Sequence, residues 1–106
     1  MKVSNMQSSR GNDVPNQFLI TGRVNQVLPF PDRAKYCNVE VFQSYQSTIA
    51  RKIYAPDGVR VELDIASWDY SATTGKYRNQ FLGEGIAETR RKIESGEYTL
   101  VDLNRG

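Results

Sequence analysis

The acids in "PDGVRVELD", Asp57, Glu62 and Asp64, have the types and spacing that could hold a divalent cation, as in a metal-dependent nuclease hairpin. Such a site pairs its acids with a lysine two residues beyond the second one. Here that position is Asp64. A turn explains Asp57, and the solvent face of a strand explains Glu62 and Asp64. "TTGK" (Thr73–Lys76) ends like a phosphate-cradling loop. That loop needs a glycine five residues before its Gly-Lys pair and Ser or Thr after the lysine. Those positions are Tyr70 and Tyr77. "GEGIAE" (Gly83–Glu88) imitates a dinucleotide fingerprint, but it follows no strand and ends in Glu where Gly or Ala must pack.

The chain contains no histidine and one cysteine, Cys37. The usual triads, tetrahedral Cys/His metal sites and an internal disulfide are therefore excluded. The expectation is a protein without catalytic residues, metal or cofactor.

What remains is cationic and aromatic. Basic residues cluster at Arg51–Lys52, Lys76–Arg78 and Arg90–Lys92, among six tyrosines and Trp68. This mixture suits single-stranded nucleic acid, cations for phosphates and rings for bases. "NQFLITGRV" (Asn16–Val24) resembles the first strand of single-strand-binding OB folds. Against this, the net charge is only +2, and Glu84, Glu88 and Glu94 dilute the basic helix. A helix-turn-helix over Gly75–Lys92 would begin its second helix with acidic and small residues where base contacts belong. The candidate binding residues are Tyr45, Arg51, Lys52, Trp68, Tyr70, Lys76, Tyr77, Arg78, Arg90 and Arg91. Convergence of the cations on one face would favour nucleic acid. Their scatter would favour a protein partner.

Local patterns supply the frame. Residues 1–16 are polar and aperiodic and read as a flexible arm, leaving 17–106 as one α+β domain. Gln17–Leu28 reads as a strand with a bulge or bend at Gly22, and Pro29–Lys35 as a loop. Tyr36–Phe42 alternates as a strand. Ser47–Tyr54 follows, with Ile49 and Ile53 on one face. Ala55–Gly58 is a turn, and Val59–Trp68 completes a hairpin. Ser71, Thr73 and Thr74 are N-cap types, so a helix is expected over Thr73–Leu82, ended by Gly83. A hairpin turn with a strand over Lys76–Leu82 is the rival. Ile86–Gly96 reads as a second helix, with Glu88–Lys92 and Arg90–Glu94 spaced for ion pairs. Glu97–Leu103 closes as a strand. The expected fold is α+β, an antiparallel sheet of about five strands with two short helices on one face. No apolar run is long enough to span a membrane, and no signal peptide is seen, so a cytoplasmic location is expected.

Two stretches, "FQSYQSTIA" (Phe42–Ala50) and "DYSATTGKYRNQFL" (Asp69–Leu82), resemble a short domain of unknown function common in phage and mobile-element accessory genes. The pattern is Phe-x-Ser-Tyr, then Tyr-Ser-x-Thr-Thr-x-Lys, and it falls on Phe42, Ser44, Tyr45, Tyr70, Ser71, Thr73, Thr74 and Lys76. That domain often has His after the lysine, where this chain has Tyr77. The resemblance implies an origin and no reaction. The expected function is a non-enzymatic accessory that binds and blocks a host protein in the host cytosol, such as an antiviral defence component (an anti-CRISPR-like inhibitor). The alternative is a single-stranded nucleic-acid binder.

Overall fold

The computed structural model describes residues 2–24, 37–55 and 58–104. The expected loop Pro29–Lys35, residues 25–28 and 36 of the expected strands on either side of it, and Pro56 and Asp57 lie outside them. The elements run β1 (Lys2–Gln7), β2 (Asp13–Val24), β3 (Cys37–Ser44), β4 (Ser47–Ala55), β5 (Gly58–Asp64), α1 (Ala72–Leu82), α2 (Ile86–Glu94) and β6 (Tyr98–Val101). They form a six-stranded sheet in chain order. The first five strands are antiparallel neighbours, and β6 lies parallel to β5. The sheet is therefore mixed rather than antiparallel. The two helices carry the chain back to the end where β5 began, so β6 runs in the same direction.

The expected flexible arm is corrected. Lys2–Gln7 pairs with β2 through partners such as Val3↔Ile20 and Asn5↔Phe18. A turn closes this hairpin: Ser8 N–H donates to Asn12 O at 2.8 Å, and Gly11 takes φ 79°. β1 hides from pattern reading because it is a polar edge strand with one buried side chain, Met6. Backbone pairing, which composition does not show, holds it.

Residues paired across strands share a face, so Leu19, Phe42, Ala50, Leu63 and Leu100 line one side. The main core lies on that side. Phe42, Ala50 and Leu63 pack with Met6, Ile49, Tyr77, Phe81 and Tyr98. In α1 the buried residues Thr74, Tyr77, Arg78 and Phe81 recur at helical spacing, the stripe that sets the helix on the sheet. In α2, Ile93 packs against the same cluster. The strand alternative for Lys76–Leu82 is thereby ruled out.

Ile49 and Ile53 do not share a face. The β3–β4 register shifts between Phe42 and Gln43, so Ile49 is an extra residue opposite them. This bulge turns Ile49 onto the helix side beside Ala50, while Ile53, paired with Val39, points to the other side. Gly22 makes no such irregularity against β3, where pairing is continuous from Gln17↔Ser44 to Val24↔Cys37. The alternation expected along β5 also breaks near its end. Asp64 is buried and Ile65 is 59 % exposed. The Asp64 carboxylate accepts from Ser67 Oγ at 2.6 Å and from Leu103 N–H at 2.9 Å, so it organises the exit from the strand.

Candidate functional site

The two motif halves meet. Ser44 ends β3, and Thr74 lies in the first turn of α1. Their hydroxyl oxygens are 3.2 Å apart, with both residues at 1 % exposure or less. Ser71 caps the helix: its backbone is extended, and its Oγ accepts from Thr74 N–H at 3.1 Å. Gly83 ends the helix at φ 72°. The hydroxyls of Ser44 and Thr74 therefore join a hairpin to a helix, and that of Ser71 caps the same helix.

This junction sets two tyrosines at one end of the sheet. Tyr45 follows Ser44 directly and is 58 % exposed. Tyr70 precedes the cap Ser71 and is 53 % exposed. Tyr45 sits in the tight β3–β4 turn at φ 55°, a region that favours glycine. Its backbone is held on both sides. Its N–H donates to Asn16 O at 2.6 Å, and its carbonyl accepts from Gln43 Nε2 at 2.7 Å. Asn16 has a positive φ of its own, 64°.

Near the start of α1, Trp68, Tyr70, Lys76, Arg78 and Arg90 come together. Arg78 is 2 % exposed, against the expectation of a surface contact. Its Nη1 donates to Trp68 O at 2.7 Å and to Asp69 Oδ1 at 3.1 Å, and its Nη2 to Asn79 Oδ1 at 3.0 Å. The guanidinium also lies 5.4 Å from the Trp68 ring centre. Arg90 reaches the other oxygen of Asp69 at 3.1 Å. Burial works to raise the Asp69 carboxyl, but these two guanidiniums outweigh it and hold its pKa below the ordinary range.

The other candidates lie apart. Arg51 pairs with Glu62 across the strands on the sheet face away from the helices. Lys52, its neighbour in sequence, points to the helix side. There it donates to Phe81 O at 2.6 Å and lies 4.6 Å from the Phe81 ring centre, neutralising the carboxyl end of α1. Tyr77 is buried in the core, because it belongs to the stripe that seats α1. Arg91 pairs with Glu88 one turn away rather than joining a basic face. Lys92 turns instead to Glu84, at 2.7 Å. Thr89 Oγ1 and Tyr98 OH also donate to Glu84, at 2.7 and 3.0 Å. Burial pushes the Tyr98 hydroxyl pKa up, and Glu84 adds to it.

Glu62 is occupied by Arg51 and Asp64 by the strand exit, while Asp57 lies outside the described residues. Among the described residues no group of three or more His, Cys, Asp or Glu could hold a metal ion, and no helix is long and apolar enough to cross a membrane.

Sequence reasoning missed Asp69, Glu84 and Gln17. The first two are single acids whose partners lie from 5 to 21 residues away, beyond a helical turn. Gln17 stands opposite Ser44 in the sheet and is 1 % exposed, and neither end of its amide has a partner among the described residues.

No curated protein and no solved structure gives a significant match to this chain. Residues 1–97, which carry both motif halves and every strand but β6, match the model of a family of unknown function (DUF8033), and the chain belongs to that family.

Proposed function

We propose that the protein is a non-enzymatic binding module whose tyrosine-bearing end, Tyr45 and Tyr70, covers a protein partner. The observation that carries this reading is Tyr45. A bulky exposed side chain is held in a left-handed conformation that costs about 1–2 kcal/mol for a residue other than glycine. Asn or Gly would fill that turn with less strain. Tyrosine there is a local cost that contact with a partner offsets, and exposed tyrosines on a rigid frame suit binding hot spots. The likeness of Phe42–Ala50 and Asp69–Leu82 to phage and mobile-element accessory domains supports reading the partner as a host protein that is blocked, such as a defence component. The scatter of Arg51, Lys52, Arg78 and Arg91 over separate surfaces and the core argues against a single-stranded nucleic-acid track.

The test compares Tyr45→Asn with the native chain in stability and in partner capture from nuclease-treated host lysate. The variant is expected to be more stable by about 0.5–1 kcal/mol and to lose the captured protein. A variant that gains stability and retains the partner contradicts the proposal.

A further inference from the structure

We propose that β1 and the groove beside it take up an extended peptide segment of a partner as an added strand, with one uncharged apolar side chain set into the groove. The inference goes beyond the reading above, because it uses neither Tyr45 nor Tyr70 and names the form the partner takes at a second surface.

Two features meet here. The first is the open edge. β1 is the outermost strand, with no strand beyond it among the described residues. Every second residue of such a strand turns its N–H and C=O outward, and that row is a template for another chain. Edges are commonly blunted by charges, prolines or bulges. In β1 the one charge is Lys2, at its start. Pairing with β2 is regular from Lys2↔Thr21 to Asn5↔Phe18 and shifts only beyond Asn5.

The second feature is a groove of about 380 Å³ on the helix side of this edge, between β1 and α1. Ser4, Met6, Leu19, Glu40, Lys52 and Phe81 are among the residues that line it. It opens because α1 packs over β3, with the Phe42 and Phe81 ring centres 6.0 Å apart, and leaves Leu19 on β2 only partly buried. Glu40 and Lys52 face each other in the β3–β4 register, one charge of each sign. Glu40 accepts from Tyr54 OH at 2.5 Å, and Lys52 donates to Phe81 O at 2.6 Å. The groove thus sets balanced, engaged charge beside apolar Met6, Leu19 and Phe81. It complements an uncharged apolar side chain and disfavours a charged one.

A strand added to β1 lies about 4.8 Å further out, and every second side chain stands on the helix side, next to the groove. One occupant therefore satisfies both features. A second copy, paired through β1 about a two-fold axis normal to the sheet, does not. Its residues on that side are Lys2, Ser4 and Met6, and Met6 is already buried in its own core.

The experiment is an NMR titration of the native chain with a short, terminally blocked threonine peptide carrying one central leucine. Saturable shifts are expected at Lys2–Gln7 and at Gln80 and Phe81, with slowed hydrogen exchange of the outward amides of β1. The same peptide N-methylated at every amide should not bind, nor should one with lysine in place of leucine. Ser4→Tyr and Gln80→Trp fill the groove from exposed positions on its two walls. Each should keep the unfolding midpoint and weaken binding about tenfold. Tyr45→Asn should bind the peptide as the native chain does, which separates this surface from the tyrosine end. The inference is overturned by the absence of saturable shifts, by binding that survives N-methylation or both groove variants, by loss of binding in Tyr45→Asn, or by peptide-free self-association that protects the same amides.

Discussion

Ser44 and Thr74, thirty residues apart in sequence, meet through a buried hydroxyl–hydroxyl hydrogen bond of 3.2 Å that ties the β3–β4 hairpin to the first turn of α1. Each hydroxyl is closed to water, so each depends on the other. Ser44→Ala or Thr74→Val alone should cost about 1–3 kcal/mol, because one buried polar group is left behind. The double variant should cost less than the two singles together. Urea unfolding of the four proteins reads this coupling, and strictly additive losses would refute it.

Gln17 presents the reverse case. Its buried amide lacks partners among the described residues, and carrying such a group costs stability. Gln17→Met keeps the volume and removes the polar atoms. It should raise stability by about 1–2 kcal/mol, measured as a higher denaturant midpoint with an unchanged slope.

The cap of α1 belongs to Ser71 and not to its neighbour Thr73. Ser71→Ala should lower stability by about 1 kcal/mol, while Thr73→Ala, at an exposed helical position, should change it little. Thermal unfolding of the pair distinguishes them, and equal losses would place the cap elsewhere.

These same residues show what the sequence revealed and what it could not. The short-range signals were legible. The hydroxyls before α1, Gly83 after it and the β4–β5 hairpin all depend on residues a few positions apart. The β4 bulge was not legible, because it arises from register against β3. β1 was hidden because an edge strand held by its backbone needs no apolar alternation. The parallel placement of β6 depends on how two helices cross the sheet. At the candidate site, Lys76 and Tyr70 could be named from composition. The burial of Arg78 and its sharing of Asp69 with Arg90 needed a fold to bring Asp69 within reach of one arginine from each helix.

Acid should destabilise the fold through Glu84 and Asp64. Burial raises both carboxyls, but for Glu84 the bonds from Lys92, Thr89 and Tyr98 prevail, and for Asp64 those from Ser67, Leu103 and Asn104. Both folded pKa values lie below their ordinary values, 4.5 for Glu84 and 3.8 for Asp64. The stabilisation is therefore complete above that range and is lost as pH falls through the folded values. Unfolding midpoints should be level from about pH 7 to 5 and then decline. Glu84→Gln should lose about 2 kcal/mol at neutral pH and show a shallower acid decline. An unchanged decline would remove Glu84 from the account.

The central claim is that this surface meets a protein rather than a nucleic-acid strand. Titration of a fluorescent single-stranded oligonucleotide across a salt series tests it most directly. The account predicts no saturable binding at micromolar protein even at low salt. Arg51, Lys52 and Arg91 lie apart from the group at the start of α1, and Arg78 in that group is buried, so the described cations do not line up as a track. Micromolar or tighter binding that weakens steeply with salt would contradict it and make the basic clusters and tyrosines a nucleic-acid interface.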